Sequence, residues 1–170
     1  MTLSEKAGTR LKELIFKNYK VDQYIKRKKN LKILNSNTIL KFSVDFTIHY
    51  SIDSENYERT VYRHIRRINQ ISIIKKYAEF FNIDYRYVIL DGQYDRLPYK
   101  TLDKNSYMNN GGIKLYSLME KNNVSSSELA KVLNCTDRTI RNYCFLGIDN
   151  LDMIEKICTY FNCDISNFFI

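Results

Sequence analysis

The sequence predicts a mainly α-helical protein of two small helical units, the first interrupted by a β-hairpin insertion. Three observations carry this. Residues 68–90 (INQISIIKKYAEFFNIDYRYVIL) and 148–170 (IDNLDMIEKICTYFNCDISNFFI) are one 23-residue pattern written twice, 80 positions apart. Ile68/Ile148, Ile74/Ile154, Lys76/Lys156, Phe81/Phe161, Asn82/Asn162 and Asp84/Asp164 are identical. The apolar stripe at 71, 74, 78 and 81 recurs with helical spacing, followed each time by Asn-x-Asp and a second apolar run. Second, residues 91–112 (DGQYDRLPYKTLDKNSYMNNGG) hold the only proline and three of the five glycines, the composition of a linker. Third, residues 40–52 alternate strictly between apolar and other side chains, the period of a strand.

The elements follow in order. A first helix is expected over 8–18, with Leu11, Leu14 and Ile15 inward. The strand would present Leu40, Phe42, Val44, Phe46, Ile48, Tyr50 and Ile52 to one side and Asp45, Thr47, His49 and Ser51 to the other. Residues 31–34 supply a hairpin partner, with Asn35-Ser36-Asn37 as the turn, so the insertion covers about 20–52. A small α+β domain sharing only the last two helices is the other parse of this half. A helix near 57–67 and the repeat unit complete a first domain over 1–90, and the linker 91–112 leads to a second over 113–170. There, a helix over 113–122 buries Leu115, Leu118 and Met119. Ser125-x-x-Glu128 is a capping box opening the next helix, with Leu129, Ala130 and Leu133 inward. Asn134 stands where the turn calls for positive φ, Thr136 caps a third helix around Ile140, and Asp149 caps a fourth that ends before Asn162.

Charge divides the chain. Residues 1–90 hold 18 Lys/Arg against 9 Asp/Glu, a balance of +9, whereas residues 113–170 hold 6 against 7, or −1. A polyanion such as DNA or RNA is therefore expected to be drawn to the first half, where Lys26-Arg27-Lys28-Lys29 adds a basic run. No apolar run reaches the roughly 18 residues of a membrane span, and the N-terminus has no signal-peptide pattern, so a cytoplasmic protein is expected. All four cysteines lie in the second half without a CxxC pair, and Cys158 and Cys163 occupy core slots of the repeat; buried reduced thiols are expected rather than a metal or disulfide. No Gly-rich phosphate loop, no HExxH and no nucleophile–base pair is present, so no enzyme activity, metal or cofactor is expected.

The spaced features of 113–169 (Leu-x-x-Leu, Val-Ser-x-x-Glu-Leu-Ala, Thr-x-x-Thr-Ile-x-x-Tyr and the repeat unit) resemble the Cro/repressor-type, XRE-like helix-turn-helix family. Residues 54–92 resemble the last three helices of the same family, giving two helix-turn-helix-type units. Ser126 stands where the family usually has Gln, and no Pro precedes the fourth helix. The resemblance implies double-stranded DNA as partner, with the N-terminal residues of the third helix against base edges: Thr136, Asp137, Arg138, Arg141 and Asn142. Ser125, Ser126 and Ser127 would meet a backbone phosphate. In the first half, Arg59, Arg63, His64, Arg66 and Arg67 fall on one expected helix, with 59, 63 and 66–67 on one face. The expected function is a sequence-specific transcriptional regulator, a repressor of its own or a neighbouring phage or mobile-element operon. It would act as a homodimer or through both units in tandem. The alternative is a bifunctional protein of anti-CRISPR type, similar in size, whose helix-turn-helix autoregulates while the other half binds a Cas nuclease or its guide RNA.

Overall fold

The computed structural model describes residues 1–19, 31–52, 57–90 and 106–169. The chain forms two compact units, one of residues 1–68 and 73–89, the other of 69–72 and 90–170. Both are helical, and no strand occurs among the described residues.

In the first unit, α1 (Leu3–Asn18) opens on a capping box: the Thr2 hydroxyl accepts from the Glu5 amide and the Glu5 carboxylate accepts from the Thr2 amide. Its buried stripe is Leu3, Ala7, Leu11, Leu14 and Ile15. The helix thus starts five residues ahead of the expected 8–18. There follow α2 (Leu31–Tyr50), α3 (Tyr57–His64), α4 (Ile71–Phe80, of this unit from Ile73 on) and α5 (Arg86–Ile89).

The β-hairpin insertion is not supported. Residues 31–50, including the expected partner strand and its turn, form the single helix α2, and 20–30 lie outside the described residues. The reason lies in the same alternation that suggested a strand. On a helix, every second residue divides into two sets of i, i+4 neighbours about 200° apart. Phe42 and Phe46 form one set with Tyr50 and are fully buried, beside Ile39 and Ser43. Leu40, Val44 and Ile48 form the other and are exposed. The core set decides the outcome: Phe42 stacks on Phe81 (5.4 Å, 10°), Phe46 on Tyr57 (5.4 Å, 12°), and Tyr77 lies 4.7 Å from Phe46. Such aromatic pairs add about 0.5–1.5 kcal/mol each to simple burial.

In the second unit, α6 (Ser106–Lys121), α7 (Ser126–Leu133), α8 (Asp137–Leu146), α9 (Leu151–Phe161) and a closing 3-10 turn (Ile165–Phe168) surround Leu115, Leu129, Leu133, Ile140, Ile154, Ile157 and Phe168. Helix α6 takes in residues 106–112 of the expected linker, whose remainder, 91–105, lies outside the described residues. Asn150 rather than Asp149 caps α9, its side chain accepting from the Met153 amide at 2.9 Å. Asp149 instead accepts from the Ser72 amide and hydroxyl, both at 2.6 Å, which ties Asn69–Ser72 into this unit.

The repeat holds at atomic detail. Asn82 and Asn162 both take left-handed φ (51° and 49°). Behind them, the Ile83 amide reaches the Ala78 carbonyl at 2.9 Å and the Cys163 amide the Cys158 carbonyl at 3.0 Å. Asp84 Oδ1 accepts from the Arg86 amide, and Asp164 Oδ1 from the Ser166 amide. The likeness reaches the first helices, which the sequence comparison did not touch. A Cβ on Gly8 would lie 2.7 Å from the His64 carbonyl oxygen, and one on Gly112 2.5 Å from that of Cys144. Positions 64 and 144 are again 80 apart, so each unit sets its first helix against its third by the same glycine contact.

Candidate nucleic-acid interface

The second unit builds its face from a three-residue turn. At the end of α7, Asn134 takes φ 54° and the Cys135 amide returns to the Ala130 carbonyl at 2.9 Å. Asparagine tolerates this left-handed conformation better than most residues because its short amide bonds locally. The chain leaves at once into α8: the Thr136 hydroxyl accepts from the Thr139 amide at 3.1 Å and lies 2.8 Å from the Thr139 hydroxyl. Ile140 then buries, fixing which face of α8 turns outward. Arg138, Arg141 and Asn142 occupy that outward face and are exposed. Asp137, half-buried, pairs with Arg141 one turn on. That pair holds the guanidinium along the helix, while Arg138 makes no ion pair among the described residues.

The serines divide in role. Ser125 is committed to α7: its hydroxyl donates to Glu128 Oε2 at 2.7 Å and accepts from the Glu128 amide at 3.2 Å. The bonds from Ser125 hold the Glu128 carboxyl below its usual range. Glu128 is therefore an anion at the N-terminus of α7, where the serines were expected to meet a phosphate. Ser127 is exposed and Ser126 half-exposed beside it.

In the first unit, Arg59 and Arg63 project from α3 and are exposed, and Val61 turns inward. Helix α3 ends at His64, so Arg66 and Arg67 sit in the turn beyond it rather than on the helix. Arg66 is exposed, and Arg67 donates from Nε to Ser4 Oγ at 3.1 Å. His64 departs from the arginine face altogether. Its ring is buried, with Nδ1 2.8 Å from the Tyr77 hydroxyl, and Tyr77 lies 3.4 Å from the Tyr57 hydroxyl. Burial, with a smaller push from the Arg63 charge, lowers its pKa to about 4, so it is neutral and inward-facing near neutral pH. His64 was grouped with the arginines only by lying on the same expected helix, whereas Val61, His64, Ile65 and Ile68 form the buried stripe.

Phe145 was missed by the sequence reading. It is 79% exposed and stands three, four and seven residues after Asn142, Arg141 and Arg138, hence on their face of α8. The signal was available: an aromatic in that register on a helix whose inward position is Ile140. Among the described residues, no group of His, Cys, Asp and Glu could hold a metal, and no helix is long and apolar enough to cross a membrane.

Residues 114–170 match a family model, the Cro/C1-type HTH DNA-binding domain. Neither a curated protein nor a solved structure gives a match. The C-terminal third of the chain is thus a DNA-binding helix-turn-helix domain of Cro/C1 type.

Proposed function

We propose that this protein is a sequence-specific transcriptional regulator that represses its own or a neighbouring operon in a phage or mobile element. One observation carries the reading: the family-matched unit exposes Arg138, Arg141 and Asn142 on one face of the helix that enters the major groove in this family. Arg138 is suited to a bidentate bond with guanine O6 and N7, and Asn142 to adenine. Arg59, Arg63 and Arg66 offer charge without an amide reader beside them, which suits phosphate contact and the +9 balance of residues 1–90.

The test is binding of the full chain to duplex DNA from upstream of its own gene, against scrambled duplex, across a salt series. Arg138→Ala is expected to cost about 1–3 kcal/mol and to relax preference at one base pair. Arg63→Ala is expected to weaken all duplexes alike and lower the salt slope by about 1. Equal binding to both duplexes would overturn the repressor reading.

The charge split favours one second reading. The basic excess lies outside the family-matched residues, so the first unit has its own claim on a polyanion. That suits a bifunctional inhibitor of anti-CRISPR type whose first unit engages guide RNA or a Cas ribonucleoprotein. It predicts that inhibition survives Arg138→Ala at full strength while promoter recognition weakens.

A further inference from the structure

Helix α2 carries two apolar stripes, and its own unit uses one. Phe42 and Phe46 fill the core, whereas Leu40, Val44 and Ile48 are 47%, 48% and 72% exposed. These three stand four residues apart, so they lie one above another over about 12 Å of the outer face. Lys41 and Asp45, also exposed and also four apart, run beside the stripe on one flank. A helix apolar on two faces is the pattern of one covered on both.

We infer that this stripe is the contact surface for a second copy of the chain, the two α2 helices pairing antiparallel about a two-fold axis through Val44. The stripe's self-complementarity singles out that occupant. The axis sets Leu40 against the second copy's Ile48, and Val44 against itself. Antiparallel helices keep like flanks face to face, so Lys41 of each copy comes within reach of Asp45 of the other. Both cations and both anions are thereby matched, as an isologous contact requires. A parallel pairing would turn this flank toward the Thr47 side and leave the charges unmatched. Three side chains and two reciprocal ion pairs place the contact at the small end of specific interfaces, with an expected Kd of about 10–100 μM.

Sedimentation equilibrium of the full chain, taken to about ten times that Kd, tests it. A monomer–dimer equilibrium is expected. Val44→Lys should weaken it at least ~100-fold, because an unpaired charge would be buried on the axis. Lys41→Glu and Asp45→Lys should each weaken self-association about tenfold, as each alone sets like charges together. Mixed one to one, these two variants should form a heterodimer within about threefold of the native Kd, since every facing pair is then opposite in sign. All substituted positions are exposed, and circular dichroism verifies that each variant is folded. A native chain that stays monomeric, a dimer indifferent to Val44→Lys, or a mixture that fails to associate would each overturn the assignment.

Discussion

Asp84 and Asp164 hold equivalent places in the repeat, yet their surroundings give them different weight. Each caps a closing turn, but Asp84 also receives the Arg86 guanidinium, whose side chain is 2% exposed, at 2.7 Å from Nη2 and 2.9 Å from Nε. Asp164 faces Ser166 and stays near the surface. Asp84→Ala is therefore expected to cost about 3–5 kcal/mol, because it takes the carboxylate away from a buried cation. Asp164→Ala removes the cap of an exposed turn and should cost about 1 kcal/mol. Urea unfolding of the two variants checks the contrast. His64 sets a pH dependence at the same scale. Its folded pKa, about 4, lies below the ordinary 6.5, so its contribution is complete above pH 6.5 and is lost as pH falls through 4. The loss should be on the order of 1–2 kcal/mol, allowing for screening at a partly accessible ring. Melting curves between pH 7 and 4 should steepen for the native chain relative to His64→Gln, and equal slopes would refute this origin. The burial of His64 could not be read from spacing alone, since a histidine within a basic cluster suits either face until Val61 is known to turn inward.

Among the elements, helix ends were the most legible feature. The Ser125 capping box, the Thr136 cap and the left-handed Asn134 all follow from local side-chain chemistry, and the structure has each of them. Thr2-x-x-Glu5 carries the same box signal and went unused, which is why α1 was expected to start late. Ser51, Asn82, Asn123, Asn134 and Asn162 all take positive φ, with the following amide returning five residues in every case. Asn134→Gly should hold or slightly raise stability, whereas Asn134→Ala should cost about 1 kcal/mol, because Ala meets the Cβ penalty without a local bond to offset it. Thermal melts of the pair decide it. Helix α2 was illegible for a different reason. Period two and two stacked helical stripes produce the same sequence string, and only the partners of Phe42 and Phe46, which are Tyr57 in α3 and Tyr77, Phe80 and Phe81 in and just after α4, distinguish them.

For the whole molecule, charge and family identity lie in different parts of the chain. The DNA-binding family covers residues 114–170, while the positive balance lies in 1–90. If the proposed regulator uses both units, Arg59, Arg63 and Arg66 together should account for a fall of about 2–3 in the salt slope on triple substitution to alanine. Preference between operator and scrambled duplex should persist, since on the proposed reading those arginines meet phosphates rather than bases. Filter binding from low to moderate salt checks both parts, and an unchanged slope would exclude the first unit from the contact. The C-terminal site was readable because its motif is local and dense, with cap, turn and exposed face inside 25 residues. The first unit resisted because its second helix runs from 31 to 50 and no short motif marks it.

The division of labour between glycine and asparagine bears on how this sequence can drift over time. Glycine is kept where backbones nearly touch, at Gly8 and Gly112, and where Gly147 adopts φ 85° with extended ψ, a conformation almost closed to other residues. Helix stops are instead written with asparagine and serine, whose places glycine or aspartate can take at little cost. Descendants of this chain should thus wander at their turns while Gly8, Gly112 and Gly147 stay put. Three glycines, rather than the many polar residues of the surface, would be the lasting signature of this double fold.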